Sequence, residues 1–485
     1  MEHTGHLPAT SSHMPSSPTG VSVEFTNVDF TVYQRTRRRK VVSANHILKN
    51  LSGVFEGGSM TCILGPSGCG KTTLMSAVAG RMAPARSPTR SLTIDLSING
   101  KLVDPISNRM FIGFVHAHET LYPTDTPLEA FEFVAALRCG KNVSSETITD
   151  RAHSMLQALR LEGCAGTYLG SATLKGVSSG EKKRTAVGIE LIPNPEILFL
   201  DEPTTGLDSV TAYEVVALLK EIANKQVCVV AVVHQPSPKI FHLFDNVLFM
   251  VTGDIVYHGP VTSVVSYFAD RGYMCPAEYN PADYVLFLLQ TLGKAPIELL
   301  VDDYCRSMEH TKRDILAARI RPTETHTLWK YDSNTLWVQL KWLLKRELRS
   351  AVRDKTVVVL RIVLAIIFGT IIGFLFFQVG NAPTVGGEIN PSEIGLVAVL
   401  GIFSMFSVGQ SLLISFAAER PIAIREYSSG IYALPVYSIS KDLLEYPVVI
   451  LCVSIYSVLG YFLGALPGNF LLLVCFVQIS CIFIL

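Results

Sequence analysis

Gly65-Pro66-Ser67-Gly68-Cys69-Gly70-Lys71-Thr72 satisfies the pattern GxxxxGK[ST] at every defined position. The chemistry of such a segment is phosphate binding. Its glycines let backbone N–H groups approach phosphate oxygens, and the N-terminus of a following helix favours negative charge. Lys71 is placed to neutralise the β- and γ-phosphates and Thr72 to hold Mg²⁺. The cradle expected from this run extends from Gly65 to Thr73, where a helical segment begins.

Further along, Ile197-Leu198-Phe199-Leu200-Asp201-Glu202 is an apolar run that delivers two carboxylates at its end. Asp201 is placed to orient Mg²⁺, directly or through water, and Glu202 to polarise an attacking water. His234 follows a second apolar run, Val227–Val233, and is a candidate sensor of the γ-phosphate. Separately, an apolar run ending in Asp-Glu or a histidine after a strand is an ordinary surface transition. Their order behind the phosphate loop makes them candidates.

These residues need a sheet to carry them. From Val21 to about Leu289 short apolar runs alternate with longer helical patterns, which reads as mixed α/β. Met60–Leu64 reads as the strand that feeds the phosphate loop. Ile197–Leu200 and Val227–Val233 read as buried strands. Asn99-Gly100 between two alternating runs signals a tight hairpin. Residues 1–20 are rich in Ser, Thr, Pro and His, contain no apolar core run and read as a disordered cytosolic start.

The chain of 485 residues has 41 Lys+Arg and 41 Asp+Glu, so no overall basic field is available for nucleic acid. Apolar residues make up 49% and charged residues only 17%, against roughly 25% in soluble chains. The mean hydropathy is +0.35. The ten cysteines contain no CxxC pair, which leaves a structural zinc site without support. The apolar excess lies after Thr356, in Val357–Phe377, Ile394–Ala417, Tyr446–Leu466 and Phe470–Leu485. About 20 apolar residues cross a bilayer core of roughly 30 Å, so three of these qualify fully and the last is short. Lys and Arg precede the first stretch and lie between the second and third, while the other two connections carry neither. That alternation places the N-terminal region in the cytosol. Trp337–Arg353 reads as a basic amphipathic helix, with Trp337, Leu340, Leu344 and Leu348 on one face, suited to an anionic membrane surface.

Several further segments resemble the ABC transporter G subfamily (White / pleiotropic drug resistance type). Val177-Ser178-Ser179-Gly180-Glu181-Lys182-Lys183-Arg184 resembles its signature, and Leu200–Ser209 (LDEPTTGLDS) its joined Walker B and D-loop. Val233–Ser237 resembles the switch-histidine segment and Asn280-Pro281-Ala282-Asp283-Tyr284 the NPAD[FY] motif. Arg425-Glu426 with Gly430 and Tyr432, then Glu445-Tyr446-Pro447, resemble the loop into the third span. The fold so implied is an α/β P-loop ATP-binding-cassette domain followed by an all-α polytopic membrane domain. Its parts would be residues 1–20, the nucleotide domain 21–290, a linker and amphipathic connecting helix 291–355, and an incomplete membrane domain of about four spans, 356–485.

The resemblance implies ATP and Mg²⁺ as cofactors, and two nucleotide domains paired head to tail as a homodimer or heterodimer with another half-transporter. Ser178, Gly180 and Asp208 would contribute to nucleotide binding, the first two to ATP held by the partner. It also implies a multi-pass membrane protein, with the plasma membrane favoured, and hydrophobic or amphipathic cargo such as lipids, sterols or xenobiotics. The sequence departs from the pattern at Ala117, which occupies the Q-loop glutamine position, with His116 and His118 as flanking substitutes. Ser179 replaces the middle signature glycine, and the chain has fewer spans than the subfamily implies. Phe30 and Tyr33 are candidates for the ring that stacks on adenine, although Val32 is an alternative for the aligned position. Arg35–Lys40 reads as an exposed loop, Asn142-Val143-Ser144 as an idle sequon, and Cys475 and Cys481 as packing residues. Two competing readings remain: a truncated or degenerate regulatory subunit, and a soluble P-loop ATPase with a tail anchor, which the alternating flanks disfavour.

Overall fold

The computed structural model describes residues 20–35, 41–82, 89–109, 111–118, 120–140, 143–171, 174–320, 334–381, 391–466, 470, 474, 477 and 478. Contacts divide the chain into two units. The first runs to residue 333 and takes in Ser428–Gly430; the second comprises Asn334–Tyr427 and Ile431 onward.

Among the described residues the first unit contains ten strands: β1 (Val23–Arg35), β2 (Val41–Phe55), β3 (Met60–Leu64), β4 (Arg90–Ile98), β5 (Lys101–Val103), β6 (Ile112–Val115), β7 (Ile197–Asp201), β8 (Cys228–Val232), β9 (Asn246–Val251) and β10 (Asp254–Pro260). One sheet is antiparallel, in the order β2-β1-β4-β5. The other has the order β10-β9-β3-β8-β7-β6 and is parallel apart from β10. Every residue of β3, β7 and β8 is buried, as expected for strands covered on both faces. The β4–β5 hairpin turns at Asn99 (φ 50°) and Gly100 (φ 74°), with Ile98 opposite Lys101. Two consecutive positive φ values are what a two-residue type I′ turn requires.

The helices of this unit are α1 (Lys71–Val78), α2 (Pro127–Arg138), α3 (Ser145–Ala158), α4 (Ser179–Leu191), α5 (Ser209–Ala223), α6 (Pro281–Thr291) and α7 (Lys294–Ile320), besides short turns. Thr126, Ser144, Ser178, Asp208 and Asn280 cap α2 to α6 by accepting from first-turn amides. The sequon serine, Ser144, is thus a helix cap, while Asn142 lies outside the described residues. Phe25, Phe55, Leu74, Val78, Phe199 and Val230 belong to one core shared by both sheets and α1. Phe30 belongs to that core and is only 7% exposed. The expectation that it stacks on adenine is therefore corrected: alternation along β1 turns its ring inward. Tyr33 is half-buried. Arg35 ends β1 and Val41 opens β2, with residues 36–40 outside the described set.

The second unit consists of α8 (Leu336–Arg353), α9 (Thr356–Leu375), α10 (Pro391–Ser428) and α11 (Leu434–Gly464). Among the described residues, two segments are long and apolar enough to cross a membrane, Val358–Asn381 and Leu434–Gly464. The second predicted stretch falls within α10, whose described apolar portion, Pro391–Phe406, is shorter. The last predicted stretch, with Cys475 and Cys481, lies almost wholly outside the described residues. Small residues bring these helices close. A Cβ on Gly373 would lie 2.5 Å from Leu463 Cδ1, and one on Gly460 would lie 2.4 Å from Leu400 Cδ1.

Helix α8 is amphipathic, as its sequence reads, and its apolar stripe stays outward. Its buried residues are Gln339, Leu343, Arg346 and Glu347, whereas Trp337 and Leu348 are 75% and 59% exposed. Fixed ion pairs hold its inner face. Arg346 donates to both Glu426 oxygens at 2.7 and 3.0 Å, and Arg425 donates to the same carboxylate at 3.3 Å. Lys441 joins Glu347 at 2.5 Å and also pairs with Glu419. The predicted apolar stripe is left on the outer side, half-buried or exposed.

Candidate functional site

In an open parallel sheet, ligands are bound beyond the carboxyl ends of the strands. Here β3, β8 and β7 are adjacent, and their ends carry Gly65, His234 and Asp201-Glu202. The turn Gly65–Gly70 joins β3 to α1. Gly70 caps α1 at φ 104°, a conformation that glycine adopts without strain. Gly65 answers a different demand. A Cβ there would lie 2.3 Å from the Met250 carbonyl oxygen and 2.7 Å from Cys69 Sγ. Gly65→Ala is therefore expected to cost about 1–3 kcal/mol, the usual range for overpacking. Thermal unfolding and ATP titration of the variant should show a lowered midpoint together with weakened binding.

Lys71 is only 5% exposed and donates to the Gly65 and Pro66 carbonyls at 2.8 and 2.9 Å. Its ammonium is thus held inside the loop, among the groups that would face phosphate. Pro66, Ser67, Gly68 (φ 80°) and Cys69 complete the loop. Burial pushes the Cys69 thiol above its ordinary value, opposed by Lys71, so it remains a neutral packing group. Thr73 lies in the first turn of α1, beside Thr72.

Thr72 Oγ1 donates to Asp201 Oδ1 at 3.0 Å, joining the phosphate loop to the end of β7. Asp201 is 8% exposed. Burial raises its carboxyl above the usual range, the Thr72 hydrogen bond opposes this, and the Glu202 charge adds to it. Glu202 Oε1 lies 2.9 Å from His234 Nε2, and Thr205 Oγ1 donates to Glu202 Oε2 at 3.0 Å. The Glu202 backbone is left-handed, at φ 50°, and its N–H donates to the Val232 carbonyl at 3.0 Å. A bond to β8 thus holds a conformation that ordinary residues avoid.

Asn280 Nδ2 donates to the Pro236 carbonyl at 3.0 Å. The NPAD segment thereby acquires a physical role, since its asparagine both caps α6 and ties that helix to the segment bearing His234. The sequence identifies the motif without this role. Thr205 stands within the LDEPTTGLDS run, but its bond to Glu202 carries no signal in the sequence.

Ser178 and Gly180 open α4. Ser178 Oγ accepts from the Glu181 N–H at 3.3 Å and donates to Glu181 Oε2 at 2.8 Å, while the Ser178 N–H donates to the same oxygen at 2.8 Å. Burial raises the Glu181 carboxyl, but the hydrogen bonds from Ser178 outweigh it and hold the group below its usual range. Gly180 faces Thr211: a Cβ would lie 2.3 Å from its methyl carbon. Ser179 occupies the first helical position and is absent from the positive-φ residues. The substitution that departs from the signature pattern therefore carries no backbone strain. Asp208 uses one oxygen to cap α5 through the Val210 and Thr211 amides, both at 3.1 Å.

Ala117 follows β6 and accepts at its carbonyl from Lys183 Nζ at 2.8 Å. His116 packs on the Phe114 ring at 4.8 Å between centroids, and His118 is exposed.

The family described as ABC transporter matches residues 48–205, and two described as ABC-2 type transporter match 338–485 and 234–304. ABC transporter G family member 4 of Arabidopsis thaliana is 32% identical over 443 residues, covering 90% of this chain and 71% of that protein. The chain belongs to the G family of ABC transporters. Protein scarlet of Drosophila melanogaster is 33% identical over 446 residues, covering 87% of this chain and 65% of that protein. The broad substrate specificity ATP-binding cassette transporter ABCG2 of Sus scrofa is 31% identical over 510 residues, covering 97% and 76% respectively. A dimeric bacterial ABC transporter cassette is 24% identical, with 49% of this chain and 98% of that chain covered at a TM-score of 0.41. The G-family chain thus combines an α/β ATPase cassette with a helical membrane domain, and it is a membrane protein. It spans roughly two thirds to three quarters of the relatives' length.

Proposed function

We propose that this chain is one half of an ATP-driven exporter of hydrophobic or amphipathic molecules, such as lipids, sterols or xenobiotics, working as a homodimer or with another G-family half. The observation that carries the reading is the adjacency of Thr72–Asp201 and Glu202–His234 at the carboxyl edge of one sheet, in a chain that also carries an ABC-2 membrane domain. The loop Gly65–Thr73 binds the phosphates through backbone N–H groups and Lys71. The Thr72 hydroxyl and the Asp201 carboxylate are hard oxygen donors 3.0 Å apart, a set that fits Mg²⁺. When bound, Mg²⁺ would neutralise charge on the β- and γ-phosphate oxygens.

Glu202 polarises the attacking water, and His234 orients Glu202 and contacts the γ-phosphate. Ser178 and Gly180 close the site from a partner copy, with Asp208 at the same interface. For ATP to swing closure fully, the closed state must bind it about 10⁴-fold better than the open one. The alternating Lys and Arg of the connections support a multi-pass arrangement with a cytosolic cassette, and family resemblance favours the plasma membrane. The partners so implied are membrane lipid, a hydrophobic small molecule and a second half-transporter, without nucleic acid.

Ala117 favours a second reading, a degenerate subunit that dimerises with a competent homologue without itself transporting. ATPase activity of the purified chain in lipid, alone and mixed with homologous halves, separates the two. The exporter reading expects turnover in at least one combination that is lost when Lys71→Ala is introduced into this chain. Unchanged turnover with that variant in every active combination would leave the degenerate reading standing.

A further inference from the structure

Lys183 lies near the end of the signature segment, where a charged residue on a helix would ordinarily face water. In the fold its relative exposure is 0%. A buried ammonium is costly unless its donors and charge are answered. Its Nζ donates to the Ala117 carbonyl at 2.8 Å, 66 residues away in sequence. Seven residues further along α4, Glu190 Oε2 accepts from the Phe114 N–H at 3.4 Å. Two side chains of α4 thus grip β6 and the residue position that follows it.

Position 117 is where the family pattern places a glutamine. A methyl group can neither ligate a cation nor hold a water, so the side chain of Ala117 has no polar means of fixing the loop. Its backbone carbonyl does, through Lys183. We propose that Lys183 is a positioning residue that ties the loop at Ala117 to the signature helix by its backbone, so that the loop stays registered beside Thr72 and Asp201 without a glutamine side chain. This rests on the ATPase reading above and deepens it. The group that would face a partner's nucleotide and the group that faces the chain's own then move as one piece.

The test uses the full chain in lipid, with Lys183→Met, which keeps length and removes the donor, and Lys183→Arg, which keeps a donor. Hydrogen–deuterium exchange is followed at residues 115–118 and across α4, alongside ATP binding with Mg²⁺ and with chelator. For Lys183→Met, exchange at 115–118 should rise about tenfold, with the amides of β3 and β8 unchanged. Turnover should fall about tenfold while KM and Mg²⁺-free ATP affinity stay within about twofold. Lys183→Arg should recover the slow exchange. Unchanged exchange at 115–118 in a folded Lys183→Met chain overturns the proposal, as does a rise spread evenly over the whole cassette. Should the methionine variant not fold, Lys183→Leu, which also lacks a donor, carries the same comparison. If the unmodified chain hydrolyses no ATP in any pairing, the exporter reading fails, and the exchange comparison still decides the tether.

Discussion

Replacing Glu202 by glutamine is expected to abolish ATP turnover while leaving ATP binding intact. The substitution keeps the side chain's size and its contacts with His234 and Thr205, which the wild-type carboxylate makes at 2.9 and 3.0 Å. What it removes is the negative charge that would draw a proton from water. General-base assistance contributes about 10²–10⁴-fold, so kcat should fall by at least about a hundredfold. The phosphate loop, Lys71 and Thr72 are untouched, so ATP affinity should stay within a small factor. Steady-state hydrolysis and equilibrium nucleotide binding, measured on the same preparation, check both halves. Undiminished hydrolysis would remove Glu202 from the catalytic role.

The second large effect is expected on stability. Glu426 is 3% exposed and holds Arg346 by two hydrogen bonds and Arg425 by a third. Glu426→Gln would remove the charge of the carboxylate that the two guanidinium groups share. Breaking a buried pair from one side costs about 3–5 kcal/mol, because the remaining charge stays desolvated. Thermal unfolding in detergent or lipid should therefore show a marked drop for Glu426→Gln. An Arg346→Met, Arg425→Met, Glu426→Leu triple variant should recover much of that loss, since apolar replacement of a whole buried pair or triad is often neutral.

The strands that carry the site were readable because buried parallel strands leave short, nearly continuous apolar runs. Met60–Leu64 and Ile197–Leu200 needed only their flanking Gly and Asp to be placed. The Asn99-Gly100 turn was readable because few residue pairs tolerate two positive φ values. On α8 the apolar stripe was readable, but what holds the opposite face was not. Ion pairs to Glu426 and Lys441 turn the charged face inward, and those partners lie far along the chain. Lys183 was illegible for the same reason: its acceptor is a backbone carbonyl, which has no letter in a sequence. Phe30 was misread because strand facing decides whether a ring is available, and only the register against β2 and β4 fixes that.

Ser178 carries a last consequence. Its hydroxyl and amide are already committed to Glu181 within the same turn. On the proposed reading, a neighbouring copy's terminal phosphate must compete with that local embrace before the two lobes can clasp. Surrendering a helix cap costs about 1 kcal/mol, a small threshold that only a strongly charged visitor surmounts. On that reading the resting lobe keeps its own latch fastened, and empty encounters between copies would be brief.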